Sequence, residues 1–211
     1  MKNICQSNRH RCTVLLIVFV LSLANAYGQS KKTLQLRKPA KQTAVVKEQT
    51  SFSSEGKISN QVKLSADVLK QLSEYENGRL SECQRDADIS KQNSAEHFAA
   101  SKINLNGDGR QDLLVQAQTG CFMGAHNTTF WLFTGVNQKS NADYKLVFDT
   151  AVDSLRVLRT SANDYRDIET ASHTAVELYT IKWKFDGRKY VKSECRLTDE
   201  NNKTSKIKCD F

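Results

Sequence analysis

Along the chain, apolar residues first fall into a helical rhythm. Val68, Leu69, Leu72 and Tyr75 return on one face, Ser65 is a good N-cap with Leu64 before it, and Asn77-Gly78 breaks the run. The pattern predicts a helix over 65–76. From about residue 95 the period shortens to that of strands. Segments 98–103, 112–118, 128–133, 144–148 and 154–159 read as strands with turn residues between them, and 167–173, 175–185 and 189–195 follow. Asp186-Gly187, between the last two, is a strong hairpin signal. With one proline in the whole chain, glycine and asparagine must make the turns.

The strand pattern repeats. Asp112-Leu113 begins a strand and Trp131-Leu132-Phe133-Thr134-Gly135 closes a later one; Asp167-Ile168 and Trp183-Lys184-Phe185-Asp186-Gly187 do the same again. The tryptophans stand 52 residues apart and the aspartates 55, a spacing that suits a sheet-sized repeat. Two such units cannot close a propeller, which uses about four to eight. The expected architecture is therefore mainly β: two blade-like antiparallel sheets packed together with one N-terminal helix, as an incomplete propeller or a small sandwich. Residues 61–211 form the expected single domain, long enough to bury roughly 68–70% of its unfolded surface. Leu114, Trp131, Phe133, Trp183 and Phe185 are its candidate core.

Between the first two strands lies the run Asn104-Leu105-Asn106-Gly107-Asp108-Gly109-Arg110-Gln111-Asp112. Oxygen-bearing side chains recur at its first, third, fifth and ninth positions, with Gly109 at the sixth, where a sharp turn favours a residue without Cβ. Calcium takes ~6–8 oxygen ligands, and this spacing supplies them from Asn104, Asn106, Asp108 and Asp112, with the carbonyl of Arg110. Val115 stands where an EF-hand would place its closing glutamate, which excludes that motif. With formal charge from only Asp108 and Asp112, calcium should bind weakly, at Kd ~10⁻⁴–10⁻³ M. The same residues also serve as ordinary hairpin-turn formers that need no metal.

The run NLNGDGRQDLLV resembles the calcium loops of FG-GAP and VCBS-type repeats, the blade units of integrin-like β-propellers. Their motif reads roughly D-x-[DN]-x-[DN]-G-x-x-D-[LI] and joins two antiparallel strands; this chain departs from it in carrying Asn104 at the first position. The resemblance spans about residues 95–190. It implies a recognition module whose calcium-braced loop fixes neighbouring strands and whose partner is a protein or glycan.

The N-terminus changes the picture of charge and compartment. Lys2, Arg9 and Arg11 precede an apolar stretch over 13–23, and Ala24-Asn25-Ala26 supplies a cleavage site, so residues 1–26 read as a secretory signal. The apolar stretch is too short to span ~30 Å of hydrocarbon as a helix, so no membrane span is expected. The formal charge of +8 consists of the signal's three basic residues and an excess of five in segment 27–60; residues 61–211 balance at 21 basic and 21 acidic side chains. The folded part thus carries no nucleic-acid footprint. Residues 27–60, rich in Lys, Gln, Ser and Thr, read as a disordered basic linker.

Cleavage leaves four cysteines, Cys83, Cys121, Cys195 and Cys209. An even number in an exported chain reads as two disulfides, and of the three possible pairings Cys195–Cys209 and Cys83–Cys121 are favoured. No C-x₂₋₄-C pair supports a zinc site instead. Glu169, Ala171 and His173 alternate along one strand, with His97 and His126 elsewhere, and no nucleophile elbow, P-loop or H-E-x-x-H is present. In the long loop over 120–127, Phe122 and Met123 are candidates for a partner-binding tip or for core beside Cys121. The expected function is a secreted, periplasmic or extracellular, non-enzymatic binding module braced by calcium. The alternative is an exported inhibitor that blocks an envelope enzyme with the 120–127 loop. An envelope hydrolase is a third reading, and it requires Glu169, His173 and a further titratable group to converge.

Overall fold

Among the described residues, ten strands and two short helices make up the fold. A computed structural model describes residues 47–75, 78–83, 85, 94–136 and 143–210, all of them within the unit Val46–Phe211. The predicted signal and residues 27–46 of the predicted linker lie outside the described residues, as does the side chain of Cys83. In chain order the elements are β1 (Ser51–Ser53), α1 (Ala66–Glu74), α2 (Arg79–Cys83), β2 (Phe98–Ile103), β3 (Asp112–Ala117), β4 (Thr128–Gly135) and β5 (Tyr144–Val152). Then come β6 (Ser154–Ala162), β7 (Tyr165–His173), β8 (Leu178–Phe185), β9 (Tyr190–Thr198) and β10 (Thr204–Ile207). Among the described residues, no helix is long and apolar enough to cross a membrane.

Two antiparallel sheets result, one of four strands in the order β2-β3-β4-β5 and one of six in the order β1-β6-β7-β8-β9-β10. The sequence repeat maps onto them. Strands β2 to β5 form one up-and-down meander and β6 to β9 the other, with Asp112 and Asp167 on the second strand of each and Trp131 and Trp183 on the third. The turn between β6 and β7 is short, with Asn163 at φ 49° and Asp164 at φ 64°. Positive φ at two successive residues suits a tight hairpin, and asparagine and aspartate tolerate it best after glycine.

The four-stranded sheet is covered on both faces, which explains why its central strands are continuously apolar rather than alternating. One face meets the six-stranded sheet, where Leu114, Phe130, Leu132 and Phe148 pack with Leu155, Ile168, Phe185 and Tyr190. The other face is roofed by the helices: Val68, Leu72 and Leu80 lie on Phe98, Val115, Trp131 and Phe133. The five candidate core residues thus divide between two cores, and Trp183 only packs partly buried against the inter-sheet one. The exposed face of the six-stranded sheet carries ion pairs, among them Arg156–Glu169 and Arg196–Glu194.

Helix α1 starts where expected, with the Ser65 hydroxyl accepting from Val68 N–H at 3.3 Å. The domain starts earlier than residue 61. In segment 47–60, β1 pairs with β6, and Phe52 (3% exposed) and Ile58 (6%) are core residues, so this part of the predicted linker is folded. A lone Phe and Ile in a polar, basic context carry no periodicity, although both bury their side chains. β8 begins at Leu178 rather than 175 because the Thr174 hydroxyl accepts from the Val176 and Glu177 amides and folds that stretch into a turn.

The Cys195–Cys209 disulfide is present, tying β9 to the segment after β10 across 14 residues of sequence. Cys121 is also disulfide-bonded. Cys209→Ser should destabilise the domain by about 3 kcal/mol in the chain-entropy account of a loop this size. Denaturant melts of the oxidised wild type and the variant measure the difference, and a change below about 1 kcal/mol would show that the bridge constrains little.

Candidate functional site

The loop between β2 and β3 turns twice through left-handed backbone, at Gly107 (φ 69°) and Gly109 (φ 79°). Its side-chain oxygens curl it inward. Asn104 Oδ1 accepts from Gly107 N–H at 2.6 Å, Asn106 Oδ1 from Asp108 N–H at 3.2 Å, and Asp108 Oδ1 from Arg110 N–H at 2.8 Å. Asp108 Oδ2 is held by the Arg110 guanidinium and by Asn106 Nδ2 at 3.0 Å. Partial burial pushes the Asp108 carboxyl up, but the bonds from Arg110 and Asn106 outweigh it and hold the group below its ordinary value.

Asp112 plays a different part from the other four. It is fully buried, and its carboxylate joins three pieces of chain. Oδ2 accepts from Leu105 N–H at 2.7 Å, while Oδ1 accepts from the Thr134 hydroxyl at 3.0 Å and from Gly135 N–H at 3.1 Å. Thr134 also meets the Tyr165 hydroxyl at 3.1 Å, which carries the network into the six-stranded sheet. Arg166 seals the same end: its amide donates to Leu105 O at 2.7 Å, and its guanidinium donates to Asn104 O at 3.0 Å and pairs with Glu48. Glu48 in turn accepts from Asn104 N–H at 2.6 Å.

The five predicted calcium ligands are therefore brought together in one loop, yet the side-chain oxygens of Asn104, Asn106, Asp108 and Asp112 already have protein donors. Calcium at the loop would have to displace the Arg110 guanidinium from Asp108 and share Asp112 with Leu105. In the second repeat Asp167 stands where Asp112 does in the first, equally buried, and a lysine faces it: Lys182 Nζ is 3.0 Å from Asp167 Oδ2.

No family model, curated protein or solved structure matches this chain. Its site is read from its own geometry.

The predicted partner-binding tip divides. Phe122 is 3% exposed and packs edge-on to Trp131 at 5.3 Å between ring centroids, so it is core and not a contact surface. The Thr129 hydroxyl holds the Phe122 carbonyl at 2.9 Å, and Met123 alone of the pair is exposed, at 37%. His97 is buried, which lowers its pKa, and its Nδ1 lies 2.9 Å from the Thr119 hydroxyl. His173 pairs with Asp153 and lies 5.7 Å from the His126 ring, whereas Glu169 is held separately by Arg156. Among the described residues, no group of three or more His, Cys, Asp or Glu side chains is arranged to hold a metal.

A groove that sequence reasoning missed lies where the larger sheet overhangs the smaller. It has a volume of about 480 Å³ and is lined by Thr150 and Val152 of β5, Thr170 and Ser172 of β7, Tyr179, Ile181 and Trp183 of β8, and Lys192 of β9. The register sets Ile168, Thr170 and Ser172 beside Trp183, Ile181 and Tyr179, all on the inward face. Trp183 is fixed in place: its indole N–H donates to the Thr170 hydroxyl at 2.9 Å, Phe148 meets it edge-on at 5.0 Å, and Lys192 Nζ sits 5.9 Å from its ring centroid. The signal was there in the alternation Tyr179-Thr180-Ile181-Lys182-Trp183, of which the sequence makes only Trp183 a core candidate.

Asp112→Asn should cost roughly 1–3 kcal/mol, because either orientation of the amide turns its NH₂ toward a backbone N–H, of Leu105 or of Gly135, that can only donate. Burial raises the Asp112 pKa above 3.8 despite its three donors. The folded state thus holds this proton more tightly than the unfolded chain, so the group's contribution falls as pH rises from 3.8 through the raised value. The stability gap between wild type and the variant should therefore widen on acidification through that window. Denaturant melts of both proteins from neutral pH to pH 4 measure it, and a flat difference would contradict the assignment.

Proposed function

We propose that the protein is an exported, non-enzymatic binding module whose ligand lies in the groove between β5 and β8–β9. The observation that carries this reading is the groove itself. Its volume falls within the roughly 300–1,000 Å³ typical of ligand sites, and its lining combines aromatic and aliphatic contact surface with a few hydroxyls and one ammonium group. Such a lining holds a ligand by area and orientation. The export reading rests on residues 1–26, and two disulfide-bonded segments accord with an oxidising compartment.

The loop over 104–112 serves this module as a frame. It anchors the entrance to β3 and bonds it to β7, in the manner of the FG-GAP and VCBS-type loops it resembles. Calcium enters as a weak adjunct that replaces the Arg110 guanidinium at Asp108. The inhibitor reading has less support, because Phe122, the residue it needs at the tip of its loop, is buried.

Two experiments test these statements. Ile181→Arg places a long cation in the groove at a half-buried position. The mature wild-type protein should retain a ligand from extracellular or envelope extracts that an equally folded Ile181→Arg protein does not. Equal recovery by both would remove the groove from the function. For the metal, calcium at about tenfold over Kd adds ~1.4 kcal/mol to the folded state. The melting difference between millimolar calcium and chelator should be small for wild type and larger for Arg110→Gln, which lacks the competing cation. Identical melts in both proteins would exclude calcium.

A further inference from the structure

Beyond the predicted signal the chain holds three histidines, and the fold treats them differently. His97 is buried and bonded to Thr119. His126 and His173 are both exposed, and their rings lie 5.7 Å apart between centroids, tilted by 34°. The two belong to different sheets: His126 stands in the turn before β4, and His173 ends β7. Ser54 draws them together. Its hydroxyl donates to His126 O at 2.8 Å and its amide to Asp153 O at 2.7 Å, while the Asp153 carboxylate accepts from the His173 amide at 2.7 Å. The Gly124 amide, donating to Asn127 O at 2.9 Å and to Asn127 Oδ1 at 3.0 Å, closes the turn that presents His126.

From this arrangement we infer that His126 and His173 form a site for a divalent transition-metal ion that takes imidazole nitrogen, such as zinc. Three observations carry it. The first is the carboxylate behind His173. Asp153 pairs with Nδ1 of that ring. A carboxylate accepts, so Nδ1 carries the proton and Nε2 of the neutral ring keeps its lone pair for an ion. Metal-binding histidines are commonly oriented in this way by a carboxylate on the other nitrogen. The second is spacing. At a metal–nitrogen distance of about 2.0–2.1 Å an ion lies ~3.2 Å from the centre of an imidazole ring, so two rings stand ~5.2 Å apart at the tetrahedral angle and ~6.4 Å when opposite. The observed 5.7 Å falls between these limits. The third is availability: among the described residues the His126 imidazole has no hydrogen-bond or ion-pair partner, and its exposed side chain can turn a nitrogen toward the ion. Asp153 supports the site and does not ligate, so water completes the coordination. The ion ties the entrance of β4 to the end of β7, and neither histidine lines the groove, so the site stands whether or not the groove binds a ligand.

The test uses the mature protein without a histidine tag. Zinc binding is measured by calorimetry in excess calcium, since calcium takes oxygen ligands and leaves imidazole free. One zinc per chain should bind and raise the melting temperature, as any ligand confined to the folded state does. In nuclear magnetic resonance spectra, zinc should shift the ring protons of His126 and His173 and leave those of His97 in place. His126→Ala, at an exposed position, should keep the metal-free melting temperature and weaken zinc binding by roughly tenfold or more, because one of two protein ligands is lost. Asp153→Asn keeps an oxygen for the His173 amide but holds Nδ1 less firmly, and should weaken binding about 10–100-fold.

Absence of binding at millimolar zinc would overturn the site. Equal affinity in wild type and in a folded variant carrying both His126→Ala and His173→Ala would place the ion elsewhere and overturn it as well. Displacement of zinc by calcium would mark a carboxylate site, such as the loop over 104–112, and count against the imidazole pair. Shifts confined to one ring would reduce the pair to a single histidine contact. Unchanged affinity in a folded Asp153→Asn protein would overturn the positioning role of that carboxylate.

Discussion

A single buried carboxylate holds the two halves of this molecule in register. Asp112 lies at the start of β3 and takes hydrogen bonds from the loop before it, at Leu105, and from the end of β4, at Thr134 and Gly135. Each donor is fixed by main chain or by a short side chain, so the carboxylate sets where the loop closes relative to both strands. Thr134 then reaches Tyr165, whose ring stacks on Phe185 at 3.9 Å between centroids. Burying an ion without a counter-charge is unfavourable unless several donors replace its water. Three donors do so here, and desolvation still raises the pKa. The opposite solution appears in the second repeat, where Lys182 neutralises Asp167 directly.

Unequal sheets follow from a repeat whose ends were extended differently. Both units are four-stranded meanders, yet the second gains β1 on one side and β10 on the other, while the first gains helices on its outer face. The two tryptophans at equivalent positions record the consequence. Trp131 lies under α1 and against Tyr75, Phe98 and Phe122, with no exposed surface. Trp183 faces the smaller sheet instead, meets Phe148 of β5 edge-on, and keeps one side open to the groove. The same residue in the same strand thus became core in one unit and the floor of a candidate site in the other.

Much of this was legible in the chain, for reasons that differ by element. Period-two segments bounded by turn residues marked eight of the strands to within a few residues, because strands half or wholly covered by a sheet must carry apolar side chains at fixed spacing. The Asp186-Gly187 hairpin was readable from local chemistry, with Asp186 Oδ1 accepting from the Arg188 and Lys189 amides at 2.7 and 2.8 Å. β1 was not readable, since three residues with one buried Phe leave no pattern, and neither was β10, which is mostly exposed. Phe122 could be placed only in three dimensions: a glycine-rich loop resembles an exposed tip until the helix that covers it is known. The loop over 104–112 was located correctly, but its oxygen spacing is shared by metal loops and by turns closed on themselves. The guanidinium of Arg110 beside Asp108 is what distinguishes the arrangement found here.

The groove follows from the same accounting of covered and uncovered surface. A sheet edge in water is an aggregation hazard that proteins suppress with charge, twist or cover. Here α1 caps the first residues of β5, and Lys145 stands exposed just after them. The last residues of β5, Thr150 to Val152, face the overhanging strands, where a second copy of the chain would need to bring its own edge into a recess walled on one side. The recess thus keeps the end of β5 from indiscriminate sheet-to-sheet pairing.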